Sequence, residues 1–217
     1  LQHEKSDTDK LVILKPFTNY IHNPFTNHHQ FQYKDVENNI DYNFVDINGF
    51  VKNLVSGDST INFELLYTNQ FIDTDLYFLE AYRSSFITYN IIKAYLGFAD
   101  RDLKHSYKKE GDDKISCVKH IMRGIIFSAM LLEKPEDFNL DCSGYKIINN
   151  MKDLSELEVF YENIGSWKHT IKEMRNELNT KMEKKEIQRF LKPALQDVIS
   201  DRLLKCVELN NELPKSL

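Results

Sequence analysis

The apolar residues of this chain change their spacing at Asp46, and that change limits the folds open to it. Upstream, Lys10-Leu-Val-Ile-Leu-Lys15 is a short apolar run closed by Pro16. Gln30-Phe-Gln-Tyr-Lys34 and Ile40-Asp-Tyr-Asn-Phe-Val45 follow, the first of them alternating polar and aromatic residues. Runs this short, bounded by charge or turn residues, read as strands, and the turn-like Asp35–Asn39 joins the second and third into a hairpin. Residues 16–30, rich in Asn, Thr, His and Pro, read as loop. Downstream, Ile47, Phe50, Val51, Leu54 and Val55 recur at i, i+3, i+4, i+7 and i+8. That is one face of a helix, with Asp46 as its N-cap and Gly57 where a C-terminal glycine belongs.

From there on the pattern is helical. Asn62–Tyr67 begins a short helix or turn, and Asp75–Arg83 and Ile87–Lys104 form a long apolar-aromatic pattern broken at Ser84-Ser85. Lys114–Glu133 carries Ile115, Val118, Met122, Ile125, Ala129 and Leu132 as a core-facing stripe ended by Pro135. Asp153 and Glu156 stand in capping-box register for a helix over Asp153–Asn163. Ser166 caps another, with Trp167, Ile171, Met174, Leu178 and Met182 on one face, and Lys184–Asn210 is a last helix interrupted by Pro193. The fold class expected is α+β: a small mixed sheet with helices over residues 1–72, then a helical region over 73–217.

Composition narrows the function classes. Fourteen Phe and 11 Tyr in 217 residues supply a core large enough to need no covalent staples. Three scattered cysteines without CxxC spacing argue against a disulfide scaffold or a zinc site and point to a reducing cytoplasm. The longest apolar run, around Gly124–Leu132, is broken by small and polar residues, so no membrane partner is expected. The net charge of −5 gives no bulk attraction to nucleic acid, so a polyanion would have to meet a local basic patch. Residues 1–70 hold nine acids, five lysines and no arginine, which places most of the acidity there. The start at Leu1, with neither Met nor a targeting pattern, reads as an excised or truncated N-terminus.

Chemistry concentrates in that acidic third. Asp7 and Asp9 stand at i and i+2 ahead of the first strand, on one face of it. Two carboxylates held together repel unless a divalent cation sits between them, so the pair is a natural Mg²⁺ seat, although Asp-x-Asp also occurs on any polar surface. Asp41 lies inside a strand, where an acid is disfavoured. If that strand pairs beside Leu11–Leu14, Asp41 completes a three-carboxylate cluster able to hold two metal ions; otherwise it is an exposed strand residue.

Ser6-Asp-x-Asp9 entering an apolar strand, followed by a lone Asp41 on a later strand, resembles the DNA polymerase β superfamily of nucleotidyltransferases. Further segments are similar to one branch of it, the RNA-ligase-associated predicted nucleotidyltransferases of bacteria and large phages. They are Leu1–Leu14, Ile40–Phe50, Asn62-Phe-Glu-Leu-Leu66, Ala94-Tyr-Leu-Gly-Phe-Ala-Asp100 and Lys119-His-Ile-Met-Arg123. The resemblance spans roughly residues 1–135, and its specificity lies in the order and spacing of motifs that are individually weak. It implies Asp7 and Asp9 as paired ligands for Mg²⁺ (or Mn²⁺) and Asp41 as the third carboxylate. It further implies Ser6, Lys119, His120 and Arg123 as nucleotide contacts, an NTP as substrate and an RNA end as a candidate acceptor. The setting implied is the cytoplasm of a bacterial cell or phage-infected host. The superfamily's Gly-Ser step ahead of the Asp pair is absent from this chain, and the truncated start is the expected reason.

Other residues divide between two readings. His120 and Arg123 share a helix face as i, i+3 neighbours and suit phosphate, but a solvated flank is the plainer reading without the resemblance. Glu64 is either the polar tip of an apolar helix or the partner of a basic group. Tyr95, Asp100 and Arg101 read as a core tyrosine followed by a surface ion pair, with a substrate groove as the alternative. His28-His29, adjacent on a strand, would face opposite ways. The function expected is transfer of an NMP from an NTP to a hydroxyl. Its rival is a catalytically inactive protein of this fold that binds nucleotide or another protein. No oligomeric state follows from the sequence.

Overall fold

The computed structural model describes residues 8–14, 30–68, 71, 74–140 and 164–209. The fold is α+β, and the chain divides into two compact units, Leu1–Val55 with Lys192–Leu217, and Ser56–Leu191. The boundary expected at residue 72 therefore falls inside the second unit.

The first unit holds a three-stranded sheet of β1 (Thr8–Leu14), β2 (Gln30–Asp35) and β3 (Ile40–Asp46) in the order β1-β3-β2. β2 and β3 are the antiparallel hairpin that the alternation predicts. Asp35 closes its turn by accepting from the Asn38 amide (3.1 Å) and side chain (2.8 Å), and Asn39 takes the left-handed φ of 53° that the turn requires. β1 pairs parallel with β3, in a register that sets Asp9 opposite Asp41. One sheet face carries a ring ladder, with Phe31 stacked on Phe44 at 4.5 Å and Tyr33 against Tyr42 at 6.2 Å. The opposite face holds Gln32 bonded to Asn43 and Lys34 beside Asp41. Helix α1 (Ile47–Ser56) follows β3 directly, and Asp46 caps it, its Oδ1 accepting from Gly49 N at 2.6 Å.

The second unit holds α2 (Thr60–Leu65), α3 (Phe78–Ala81), α4 (Tyr89–Ser106), α5 (Gly111–Glu133) and α6 (Ile164–Glu183), with 3-10 turns at Arg83–Phe86 and Pro135–Asp137. The first of these turns is the break expected at Ser84-Ser85. Ser59 caps α2 through Asn62 N, at 3.2 Å. Gly57 takes φ +70°, and a Cβ there would lie 2.9 Å from Asn90 Cβ and from Ile91 N. An aromatic cluster of Phe63, Tyr67, Tyr95, Phe127 and Phe138 fills one end of the unit, and burial pushes the Tyr67 phenol up to about 12.

Three helix expectations are corrected. The buried residues of α5 are Val118, Ile121, Gly124, Ile125, Phe127, Ser128, Leu131 and Leu132, so Ile115, Met122 and Ala129 of the expected stripe stand only half-buried at its edge. The stripe is turned because Gly124 lets α4 come close at Tyr95 and Ala99; spacing read from large apolar residues alone passes over small ones. The last described helix, α7 (Pro193–Leu209), begins at Pro193. Its fixed φ and missing N–H suit a first turn, so the residue starts the helix instead of interrupting one. α6 begins at Ile164, so Ser166 lies inside the helix and bonds Thr170 from its carbonyl, at 2.9 Å. The helix expected over Asp153–Asn163 lies outside the described residues.

By length and composition α5 is also apolar enough to cross a membrane, which its broken apolar run does not lead one to expect. Core helices of water-soluble proteins pass the same test, and one flank of α5 is buried inside this unit.

A Cβ on Gly124 would sit 2.8 Å from Ala99 Cβ and 2.8 Å from the Tyr95 carbonyl oxygen, and the second of these is backbone and cannot swing aside. Gly124→Leu should cost about 1–3 kcal/mol through overpacking. Thermal melts followed by circular dichroism should show a Tm lower by about 3–10 °C, with Gly124→Ala between the two. An unchanged Tm would show that α4 and α5 do not approach this closely.

Candidate functional site

Two groups of residues bear on function, one in each unit. In the sheet, parallel pairing of β1 with β3 meets the condition on which the three-carboxylate reading depends, because Asp9 and Asp41 are register partners. Asp41 Oδ1 is buried and accepts no hydrogen bond among the described residues, and the Lys34 ammonium lies 3.5 Å away at ion-pair distance. Ser6 and Asp7 lie outside the described residues, as does the side chain of Asp9. Among the described residues no three His, Cys, Asp or Glu side chains converge as a metal site, a statement that omits two of the three carboxylates.

In the helical unit, the face of α4 that carries Tyr95, Ala99, Asp102 and Ser106 packs on α5. Asp102 is 5% exposed, an ionisable group on an otherwise apolar stripe. A buried carboxylate must be satisfied by donors. Here Oδ1 accepts from Arg101 Nε at 2.9 Å, and Oδ2 lies 3.0 Å from His120 Nδ1 on α5. One turn further along α5, Arg123 forms an ion pair with Glu64 of α2, and Glu64 Oε1 accepts from the Tyr95 hydroxyl at 2.8 Å. Of the two readings of Glu64, partner of a basic group is the one the geometry bears out. His120 and Arg123 each reach a buried acid, which a merely solvated flank would not do. Lys119 is half-buried.

Asp100 points the other way, to Lys104 Nζ at 3.0 Å and to Arg175 of α6 at 3.3 Å. Burial alone would raise its carboxyl, but the bonds from Lys104 and Arg175 outweigh burial and hold it below the usual 3.8. Burial, and then the charge of Asp102, push the Cys117 thiol up, so it is not an activated nucleophile. His28, His29 and Cys142 lie outside the described residues.

Asp102 is the residue that sequence reasoning missed. The available signal was its place three residues after Ala99 and seven after Tyr95, on the apolar side of α4, where an unpaired acid would be costly. No known protein family, curated protein or solved structure matches this chain.

Removing Glu64 while leaving Arg123 behind strands a largely enclosed cation. Glu64→Leu should therefore destabilise by about 3 kcal/mol, and Tyr95→Phe by about 1.5 kcal/mol. Urea titration of the two variants and of the double variant should show strong non-additivity. Simple addition would mean that the three groups do not form one network.

Asp100 gives a pH dependence of definite sign. Its folded value is depressed, so its contribution is complete above the ordinary 3.8 and is lost as pH falls through the lower folded value. Acidification from pH 5 to about 2 should cost wild type up to about 1 kcal/mol more than Asp100→Asn, since its partners are partly exposed. Equal acid sensitivity in paired melts would remove the α4–α6 tie from the account.

Proposed function

We propose that this protein is a metal-dependent nucleotidyltransferase that moves an NMP from an NTP onto a hydroxyl, with an RNA end as the candidate acceptor. The observation that carries the reading is the β1–β3 register, which sets Asp9 beside Asp41 on parallel strands, together with the buried Asp41 Oδ1 that accepts no hydrogen bond. A carboxylate oxygen withdrawn from water, with an ammonium at ion-pair distance and no hydrogen bond among the described residues, is suited to a cation, so the residues present fit Mg²⁺ or Mn²⁺. Asp7, Asp9 and Asp41 would hold the metal. When bound, it would neutralise triphosphate charge and favour the ionised acceptor hydroxyl.

The chain's own residues set the remaining terms. Asp41, ionised, is the base nearest that role and takes the hydroxyl proton directly or through a water. Lys34 balances its charge while no cation is present. The sequence resemblance also offers Lys119 and His120 of the helical unit as phosphate contacts of that unit; Arg123, offered with them, is paired with Glu64.

A second reading, a nucleotide-binding or protein-interaction module without catalysis, draws on the Lys34–Asp41 ion pair, which neutralises the carboxylate with no metal at all. The test is incubation with each labelled NTP, Mg²⁺ or Mn²⁺ and a pool of RNAs or proteins. Labelled product is expected from wild type, reduced by about 100-fold or more in Asp41→Asn and Asp9→Asn. NTP binding without transfer in every combination would leave only the second reading, and neither binding nor transfer would sink both.

A further inference from the structure

We propose that Arg101 and His120, splinted by the buried Asp102, form a phosphate clamp on the α4–α5 face. One carboxylate holds both side chains, Arg101 Nε on Oδ1 at 2.9 Å and His120 Nδ1 on Oδ2 at 3.0 Å. Because the two oxygens belong to one group, the guanidinium and the imidazole are kept side by side. Asp102 is buried, whereas the Arg101 and His120 side chains are 55% and 42% exposed, so the anchor lies inside and the free ends face water. The Phe98 ring touches both, with Arg101 Cζ 4.3 Å and the imidazole 5.3 Å from its centroid. Cation–π contact of this kind restricts the guanidinium plane.

The nitrogens left over are suited to an oxyanion. With Nε engaged, the Arg101 Nη pair presents the planar fork that grips a phosphate through two parallel bonds. With Nδ1 engaged, Nε2 is the ring nitrogen left over, and in the protonated ring it is a donor. Among the described residues neither the Nη nitrogens of Arg101 nor Nε2 of His120 has a hydrogen-bond partner. The choice of phosphate over other oxyanions rests on the nucleotidyl-transfer reading. Arg101 takes the part that the sequence pattern offers to Arg123, and Asp102 acts as a positioning residue.

The test is binding of inorganic phosphate, and separately of ATP without metal, followed by the His120 ring resonances at about pH 6. Wild type should show a saturable shift in the millimolar range. Arg101→Ala, a change at an exposed side chain, should weaken binding by at least about tenfold. Arg101→Lys should recover only part, because a lysine has no fork. Asp102→Asn should weaken binding although it removes no atom from the ligand's reach, and the loss should accompany a change in the free His120 shift. Tighter binding of ATP than of phosphate through the same resonance assigns the clamp to a nucleotide; equal binding assigns it to free phosphate, and either supports it. Phosphate affinity unchanged in Arg101→Ala, with that variant folded by circular dichroism, overturns the clamp. Asp41→Asn should keep the phosphate shift while losing transfer; a wild type that shows the shift but transfers no NMP counts against the sheet carboxylates alone and leaves the clamp standing.

Discussion

The helical unit depends on how closely α4 and α5 approach at Ala99 and Gly124. A hypothetical side-chain carbon at Gly124 would already overlap the Tyr95 carbonyl, so the two backbones are as near as their atoms permit. Close contact of this kind fixes rotation and sliding together, because displacement along either axis brings a larger residue onto the contact. Everything polar on this face inherits that fixed register. Asp102 reaches His120, and Tyr95 reaches a glutamate already paired with Arg123, because the same few residues set the distance between the helices.

The two units handle their acids differently. Asp102 and Glu64 are buried and surrounded by donors, and each joins elements that are distant in the chain. Such arrangements contribute little net stability compared with apolar packing, but they penalise any other pairing of the same helices. Asp41 is partly exposed and has one oxygen with no donor. The sheet carboxylate is thus balanced by the Lys34 ammonium at ion-pair distance and not by the directed donors that the helical unit gives its buried acids.

What could be read from the chain is what is local. Asp46, Gly57 and the Asp35–Asn39 turn act within four residues of themselves, so helix α1 and the hairpin follow from sequence directly. The β1–β3 register, by contrast, joins residues 32 apart, and no local spacing signal specifies it. Pairing of Asp102 with His120 was hidden because partners on different helices leave no spacing signal, and the motif that drew attention to His120 also drew it to Arg123. Pro193 is ambiguous for a related reason: a proline looks the same in sequence whether it breaks a helix or begins one, and the stretch before it decides. Small residues were the other blind spot, since Gly124 carries no hydrophobic weight yet sets the packing.

The sequence contains one tryptophan, Trp167, and it is 6% exposed within α6 of the helical unit. An indole so enclosed emits according to its immediate surroundings, and no second indole adds signal from the sheet. Its fluorescence is thus a native optical label for one unit, against which far-ultraviolet dichroism of the whole chain can be set. Whether the two compact units melt as one cooperative body or in sequence can be read without introducing a probe.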